Sequence, residues 1–210
     1  IIKNKIIEFK PNILINCAAK FGPENQSLEN FEISDYNKIL NINVFSILYI
    51  IQQSIKANCL EQILNLSSEM GSIEMNKSGG YYLYRNSKSL LNSITKNMAI
   101  DLKKKGVNVY CIHPGSVKTK MNTGGVDNPE YTAQKIINFC VINDEKYTGK
   151  FIDIEKKLPL KRYGNHQELA NLAAYLVSDH SGYITGEVIT IDGAEWIHKA
   201  GQFNWLDKVP

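Results

Sequence analysis

Three side chains in this 210-residue sequence could together move a proton at a carbonyl or an alcohol: Ser68, Tyr84 and Lys88. Lys88 lies four positions after Tyr84, and in a helix this spacing places both on one face, one turn apart. A free tyrosine has a pKa near 10 and is a poor base at neutral pH. We expect Lys88 to lower that pKa, because two charges about 4 Å apart interact by roughly 4 kcal/mol at an effective dielectric of about 20. This energy corresponds to a pKa decrease of about three.

The serine is expected to act on the same substrate oxygen. A short apolar run ends in Ser67 and Ser68, which predicts a buried strand that opens into a loop. Ser67 continues the strand alternation and Ser68 begins the loop, so we assign the hydrogen bond to Ser68. Hydroxyl and phenol would then stabilise charge on one oxygen. The alternative for the Tyr84–Lys88 pair is an exposed tyrosine and lysine that serve packing and solubility.

The elements that must position these residues are strands and helices in alternation. Apolar runs at 12–16, 63–66 and 107–112 predict strands. Residues 1–10 are read as the end of a helix that Pro11 breaks, and a long helix is expected from Ser34 or Asp35 to Lys56. Such alternation favours an α/β fold with a doubly wound parallel sheet and ligands at the strands' carboxyl ends.

Further motifs accompany the central pair: Asn16-Cys17-Ala18-Ala19, Asn43 inside an apolar helix, and residues 113–119, His-Pro-Gly-Ser-Val-Lys-Thr. In order and spacing, this set resembles the short-chain dehydrogenase/reductase family. The resemblance implies a Rossmann-like fold and interconversion of a carbonyl and an alcohol by hydride transfer. The implied cofactor is NAD or NADP, with NADP slightly preferred.

Site residues follow from the same resemblance. The catalytic residues would be Asn43, Ser68, Tyr84 and Lys88. The cofactor would contact Asn16, Ala18, Tyr84, Lys88, Pro114, Gly115, Val117 and Thr119. Asn43 would kink its helix and hold a water that leads to the lysine, although an asparagine in such a helix is more often a packing or solvent-facing group.

Two features depart from the family pattern. The family's Gly-rich first turn should lie some seventy residues before Asn16, so the sequence is expected to lack the first strands and the adenine half of the cofactor site. Two segments also share a Thr-Gly strand pattern, 147–154 and 184–191. We expect the second, Glu187–Ile191, to form the last strand.

The two ends of the sequence resemble different subgroups. Most of it is similar to C-factor-like and sniffer-like carbonyl reductases, whereas the tail is similar to 2,4-dienoyl-CoA reductases. We therefore predict one partial domain over residues 1–210, with a segment appended from about residue 159. An enoyl- or dienoyl-CoA reductase is the second candidate function, and a catalytically silent binding or signalling protein of the same fold is the third.

The composition limits the classes of binding partner that we expect. A net charge of +3 with mixed signs gives no argument for nucleic acid or membrane, and no apolar run is long enough to span a bilayer. Four dispersed cysteines suggest neither a zinc site nor a disulfide framework, so we expect no metal and a cytoplasmic location. The expected partners are a small carbonyl or alcohol substrate and a second copy of the chain, packed through the long helices.

Overall fold

A computed structural model describes residues 2–154, 166–186, 188–189 and 191 of the chain. The chain divides into two compact units, Ile1–Ile154 and Glu155–Pro210. The first contains the sheet and every predicted site residue. The prediction of one partial domain with a segment appended from about residue 159 stays a prediction.

The sheet of the first unit has four parallel strands. They are β1 (Ile13–Asn16), β2 (Gln62–Leu66), β3 (Asn108–His113) and β4 (Phe151–Asp153), in the order β1-β2-β3-β4. Parallel neighbours bring all four carboxyl ends to one edge of the sheet. This confirms the predicted α/β fold with a parallel sheet. In the described part of the chain, β1 pairs with β2 alone and is an edge strand.

Five helices belong to this unit: α1 (Ile2–Phe9), α2 (Ile33–Leu40), α3 (Ser46–Lys56), α4 (Tyr82–Asp101) and α5 (Pro129–Ile142). Strand residues alternate between the two faces of the sheet. Ile63 and Val109 therefore share a core with Ile47 and Leu91 of α3 and α4. The next residue along each strand points the other way, and a second core contains Leu64, Tyr110, Ile112, Ile136 and Phe139, the last two from α5.

The structure differs in two respects from the long helix that we predicted from Ser34 or Asp35 to Lys56. The helix begins at Ile33 after Glu32, whose side chain makes no capping hydrogen bond. Between α2 and α3 the chain forms a π-helical turn, Asn41–Phe45, which contains the buried Asn43. A π turn inserts one extra residue into the helical repeat and is frequent at functional sites. Apolar periodicity alone does not reveal such an insertion.

The expectation for the last strand is wrong. Phe151–Asp153, from the first Thr-Gly segment, pair with β3, so the position that we assigned to Glu187–Ile191 is already filled. Thr148 helps to fix this choice, because its hydroxyl accepts a hydrogen bond from the Val109 N–H at 2.9 Å. Glu187 and Thr190 lie outside the described residues, and the residues described between Ile184 and Ile191 are not in a strand.

The second unit contributes α6 (His166–Leu176) and a short 3-10 turn, Asp179–Ser181. Residues 155–165 and 192–210, which include much of the tail that resembles 2,4-dienoyl-CoA reductases, lie outside the described residues. Among the helices that the structure describes, none combines the length and apolarity needed to cross a bilayer.

Candidate active site

A cavity of about 710 Å³ opens at the carboxyl edge of the sheet in the first unit. It lies where β2 and β3 end and α4 begins, as expected for a ligand site in an open parallel sheet. Seven of the residues predicted for the site line it: Ser68, Tyr84, Lys88, Pro114, Gly115, Val117 and Thr119. Distant parts of the sequence therefore meet in one place.

Tyr84 lies in the first turn of α4 and is only 7% exposed. Its ring packs on Phe21, with 4.7 Å between the ring centroids. Burial raises the pKa of the Tyr84 phenol, and a side-chain hydrogen bond with Ser68 partly opposes this increase. We expected Lys88 to lower this pKa, and the structure shows a net increase instead. Desolvation of the phenolate is the larger effect.

Lys88 is almost fully buried, and its side chain is held by the strand in front of it. The Nζ donates a hydrogen bond to the Leu66 carbonyl oxygen at 2.8 Å and lies 5.7 Å from the centroid of the Tyr84 ring. Burial lowers the pKa of Lys88 to about 8, although Cys111 and Cys17 act in the opposite direction. At pH 7 the ammonium is therefore still the main form.

The two adjacent serines have different environments. Ser67 is buried, and its hydroxyl donates to Asn92 Oδ1 at 2.5 Å. Ser68 is half-buried; its Oγ accepts from the Met70 N–H at 3.2 Å and shares a hydrogen bond with the Tyr84 side chain. The structure thus brings Ser68 to the phenol, while Ser67 is engaged with the helix behind it.

Asn43 lies behind the cavity and does not line it. Its Oδ1 accepts from the Lys20 N–H at 2.7 Å, and its Nδ2 donates to the Lys20 carbonyl and to Ser87 Oγ at 2.9 and 3.0 Å. Ser87 Oγ in turn donates to the Tyr84 carbonyl oxygen at 2.8 Å. Asn43 therefore joins the loop after β1 to the helix that carries Tyr84.

Asn16 and Ala18 do not line the cavity either. Asn16 is buried, and its Nδ2 donates to Asn65 Oδ1 at 2.8 Å, which ties β1 to β2. Ala18 is exposed, and its neighbours Cys17 and Ala19 line the cavity instead. This segment therefore reaches the cavity through Cys17 and Ala19, and its contact with the cofactor stays a prediction.

The loop after β3 forms one wall of the cavity and is closed by its own hydrogen bonds. Thr119 and Asn122 exchange two backbone hydrogen bonds at 3.1 and 3.2 Å, and Val117 forms a bridge to Asp127. A Cβ on Gly125 would lie 2.5 Å from the Val117 backbone, so this close approach requires glycine.

Comparison of the sequence with known proteins identifies its family. The family described as "Enoyl-(Acyl carrier protein) reductase" matches residues 9–141 and 143–193. The chain belongs to the short-chain dehydrogenase/reductase family. It is similar to the 3-oxoacyl-[acyl-carrier-protein] reductase FabG of Buchnera aphidicola, with 28% identity over 187 residues, which are 89% of this chain and 66% of that protein. Three further curated relatives are covered over 60–62% of their length.

Two solved structures are similar to this chain in fold. The carbonyl reductase Sniffer of D. melanogaster has a TM-score of 0.67 at 23% identity, over 72% of this chain and 70% of that one. At this identity the likeness concerns the fold. A short-chain dehydrogenase of Burkholderia cenocepacia, solved in complex with NADP, has a TM-score of 0.51 at 26% identity, over 91% of this chain and 70% of that one.

The donor groups of the cavity fit the nicotinamide half of the dinucleotide that this family uses. Hydroxyl groups at Ser68, Tyr84 and Thr119 suit ribose and carboxamide groups, and the ammonium groups of Lys88 and Lys120 suit hydroxyl and phosphate oxygens. Among the described residues, no three His, Cys, Asp or Glu side chains come together as a metal site would require.

Sequence reasoning missed three residues that support the site. Phe21 packs on Tyr84, and Gln26 binds the start of α4. Asn92 Oδ1 accepts from both Ser67 and Cys111, and its Nδ2 donates to the Gly71 carbonyl at 3.0 Å. A usable signal existed for Asn92, which follows Lys88 by one helical turn. Phe21 and Gln26 lie in a loop without periodicity and gave none.

Proposed function

We propose that the protein interconverts a carbonyl and an alcohol with NAD(H) or NADP(H), and that NADP(H) is slightly preferred. The observation that carries this proposal is the meeting of Ser68, Tyr84 and Lys88 around one cavity at the carboxyl edge of the sheet. Membership of a family of oxidoreductases supports it. The proposed substrate is a small carbonyl compound.

Tyr84 is the proposed acid. Its raised pKa keeps the phenol protonated at neutral pH, which suits donation of a proton to the substrate oxygen during reduction. Ser68 donates a second hydrogen bond to that oxygen and stabilises the charge that develops there. Hydride exchange at the substrate carbon is the chemistry that a bound nicotinamide cofactor supplies.

Lys88 has two proposed roles. Its ammonium, still mainly charged at pH 7, offers a donor to the nicotinamide ribose, and its charge favours the phenolate that Tyr84 becomes after proton transfer. Asn43 supports Tyr84 through Ser87, whose Oγ accepts from Asn43 Nδ2 and donates to the Tyr84 carbonyl oxygen. Pro114, Gly115, Val117 and Thr119 line the cavity and would contact the nicotinamide and phosphate groups of the cofactor.

The direct experiment measures NADPH and NADH binding to the purified chain by calorimetry, followed by cofactor oxidation in the presence of small ketones and aldehydes. We expect weak binding of the cofactor, and turnover that disappears in Tyr84→Phe. A well-folded chain that binds neither cofactor and turns over no carbonyl would refute the proposal and favour a silent binding or signalling protein.

A second candidate is reduction of an enoyl or 2,4-dienoyl thioester. The description of the matching family favours it, since that description names enoyl reductases. The Tyr84–Lys88 spacing favours carbonyl chemistry, because a phenol is then placed to protonate an oxygen. Parallel assays with crotonyl-CoA and a simple ketone distinguish the two candidates.

The cellular location, partners and oligomeric state of the protein are also proposals. We propose a cytoplasmic enzyme without nucleic-acid or membrane partners, which forms a homo-oligomer through the long helices. Phe45 and Tyr49, 49% and 52% exposed at the junction of the π turn and α3, offer an apolar surface for such packing. Light scattering on the purified chain measures the oligomeric state.

A further inference from the structure

Helix α4 carries Tyr84 in its first turn but lacks a cap of its own. The residue before it, Tyr81, has a left-handed backbone with φ of 51°, and its side chain makes no capping hydrogen bond. The first backbone N–H groups of a helix have no partner inside the helix and need one from elsewhere. In α4, the N–H groups that need such a partner include that of Tyr84, whose phenol is the proposed catalytic group.

Gln26, from the loop between β1 and α2, supplies that partner twice. Its backbone oxygen accepts from the Tyr82 N–H at 3.1 Å, and its side-chain Oε1 accepts from the Tyr84 N–H at 3.0 Å. The side chain is only 2% exposed. Such a buried amide must satisfy its hydrogen bonds within the protein, so its geometry is well defined.

The other end of the same amide fixes the loop that faces the cavity. Gln26 Nε2 donates to the Phe21 carbonyl at 2.9 Å and to the Pro23 carbonyl at 2.8 Å. Phe21 lines the cavity and packs against the Tyr84 ring. One side chain therefore holds both the backbone of Tyr84 and the aromatic ring that restricts its phenol.

We infer that Gln26 is a positioning residue, which holds the Tyr84 phenol against Ser68 by clamping the start of α4 to the loop at Phe21. It does not touch the reacting atoms and acts through Tyr84. The inference rests on the proposed function for its catalytic consequence. The clamp itself is a property of the fold that can be measured without turnover.

The test uses Gln26→Met, which keeps the side-chain length and removes every side-chain hydrogen bond. The matched control is Gln62→Met. Gln62 is also buried, and its Nε2 donates to the Cys140 carbonyl at 2.8 Å, outside the cavity. Hydrogen exchange of the Tyr84 amide is read by NMR in wild type and both variants. Loss of the acceptor for the Tyr84 N–H should speed the exchange of this amide roughly fivefold in Gln26→Met and leave it unchanged in Gln62→Met.

The second measurement is the pH profile of alcohol oxidation, which needs the Tyr84 phenolate. The hydrogen bond from Ser68 lowers the pKa of Tyr84, so a displaced phenol should raise the half-maximal pH by roughly one unit in Gln26→Met. Unchanged Tyr84 exchange and an unchanged pH midpoint in a folded Gln26→Met protein would overturn the inference. A wild type without turnover refutes the proposed function, and the exchange comparison then still decides whether the clamp exists.

Discussion

Lys88 should reduce stability at neutral pH, and this cost should disappear as the pH rises. Its pKa falls from an ordinary 10.5 to about 8 because the ammonium is buried. The difference of 2.5 corresponds to about 3.4 kcal/mol at 1.36 kcal/mol per unit. Between pH 8 and 10.5 the unfolded chain binds more protons at this lysine than the folded one, so the free energy of unfolding rises with pH in that window.

The size of this effect between two pH values follows from the folded and unfolded pKa values of Lys88. From pH 7 to pH 10, the contribution of Lys88 to the free energy of unfolding should increase by about 2.5 kcal/mol. The comparison must be with Lys88→Met, because folding also raises the pKa of Tyr84 and that of Cys111, the latter to about 11, so both make stability depend on pH in this range. Both are present in wild type and variant, so their effects largely cancel in the difference.

The absolute stability of Lys88→Met at pH 7 is less informative than its pH dependence. Removing the buried charge stabilises the variant, but loss of the hydrogen bond to the Leu66 carbonyl leaves a buried acceptor unpaired, at a cost of about 1–3 kcal/mol. These two terms are similar in size and opposite in sign. The pH dependence contains only the first.

Urea unfolding of both proteins at pH 7, 8, 9 and 10, followed by far-UV circular dichroism, gives the required difference. Lys96→Met, an exposed lysine on the same helix, is the control. A difference between wild type and Lys88→Met that stays constant from pH 7 to 10 would refute the argument that burial of the ammonium sets its pKa. Turnover should be lost in Lys88→Met at every pH.

Three further predictions concern the cavity. Tyr84→Phe should abolish carbonyl reduction with little change in folding, whereas Tyr82→Phe, at a ring that is 37% exposed, should remain active; the reverse result would move the assignment to Tyr82. Ser68→Ala should cost roughly 2.7–4 kcal/mol of transition-state stabilisation, measured as kcat/KM, and an equal loss in Ser67→Ala would reverse the choice of serine. Gly71→Ala should lower the free energy of unfolding by about 1–3 kcal/mol, because a Cβ there would lie 2.7 Å from Lys88 Cβ. The same change at Gly124, where a Cβ meets nothing within 4 Å, should be nearly neutral in thermal unfolding.

Much of the fold followed from local patterns. Three compact apolar runs predicted β1, β2 and β3, since these strands bury continuous sets of residues. Apolar spacing did not predict the π turn at Asn41–Phe45, although the family resemblance implied a kink at Asn43. Within that turn Asn43 makes hydrogen bonds to the Lys20 backbone, a tertiary contact that helical periodicity does not show.

The choice of last strand failed for a related reason. Both Thr-Gly segments have the alternation of a strand, so local propensity could not rank them. What distinguishes the first is its pairing with β3, supported by the hydrogen bond between Thr148 and Val109. Family context favoured the second segment, and the pairing energy of a strand depends on its neighbour rather than on its own pattern.

At the site, residue spacing predicted which side chains are close together but not their pKa values. The interval between Tyr84 and Lys88 predicted their proximity, which the structure confirms, but proximity fixes only the sign of the charge interaction. Burial acts on the phenolate and on the ammonium at the same time, raising one pKa and lowering the other. Both changes favour the neutral form of each side chain, so the pair is set to donate a proton from the phenol rather than to remove one. Under the proposed function, the resting site is accordingly better suited to carbonyl reduction than to alcohol oxidation at neutral pH. This bias depends on the surrounding core and not on the two residues alone.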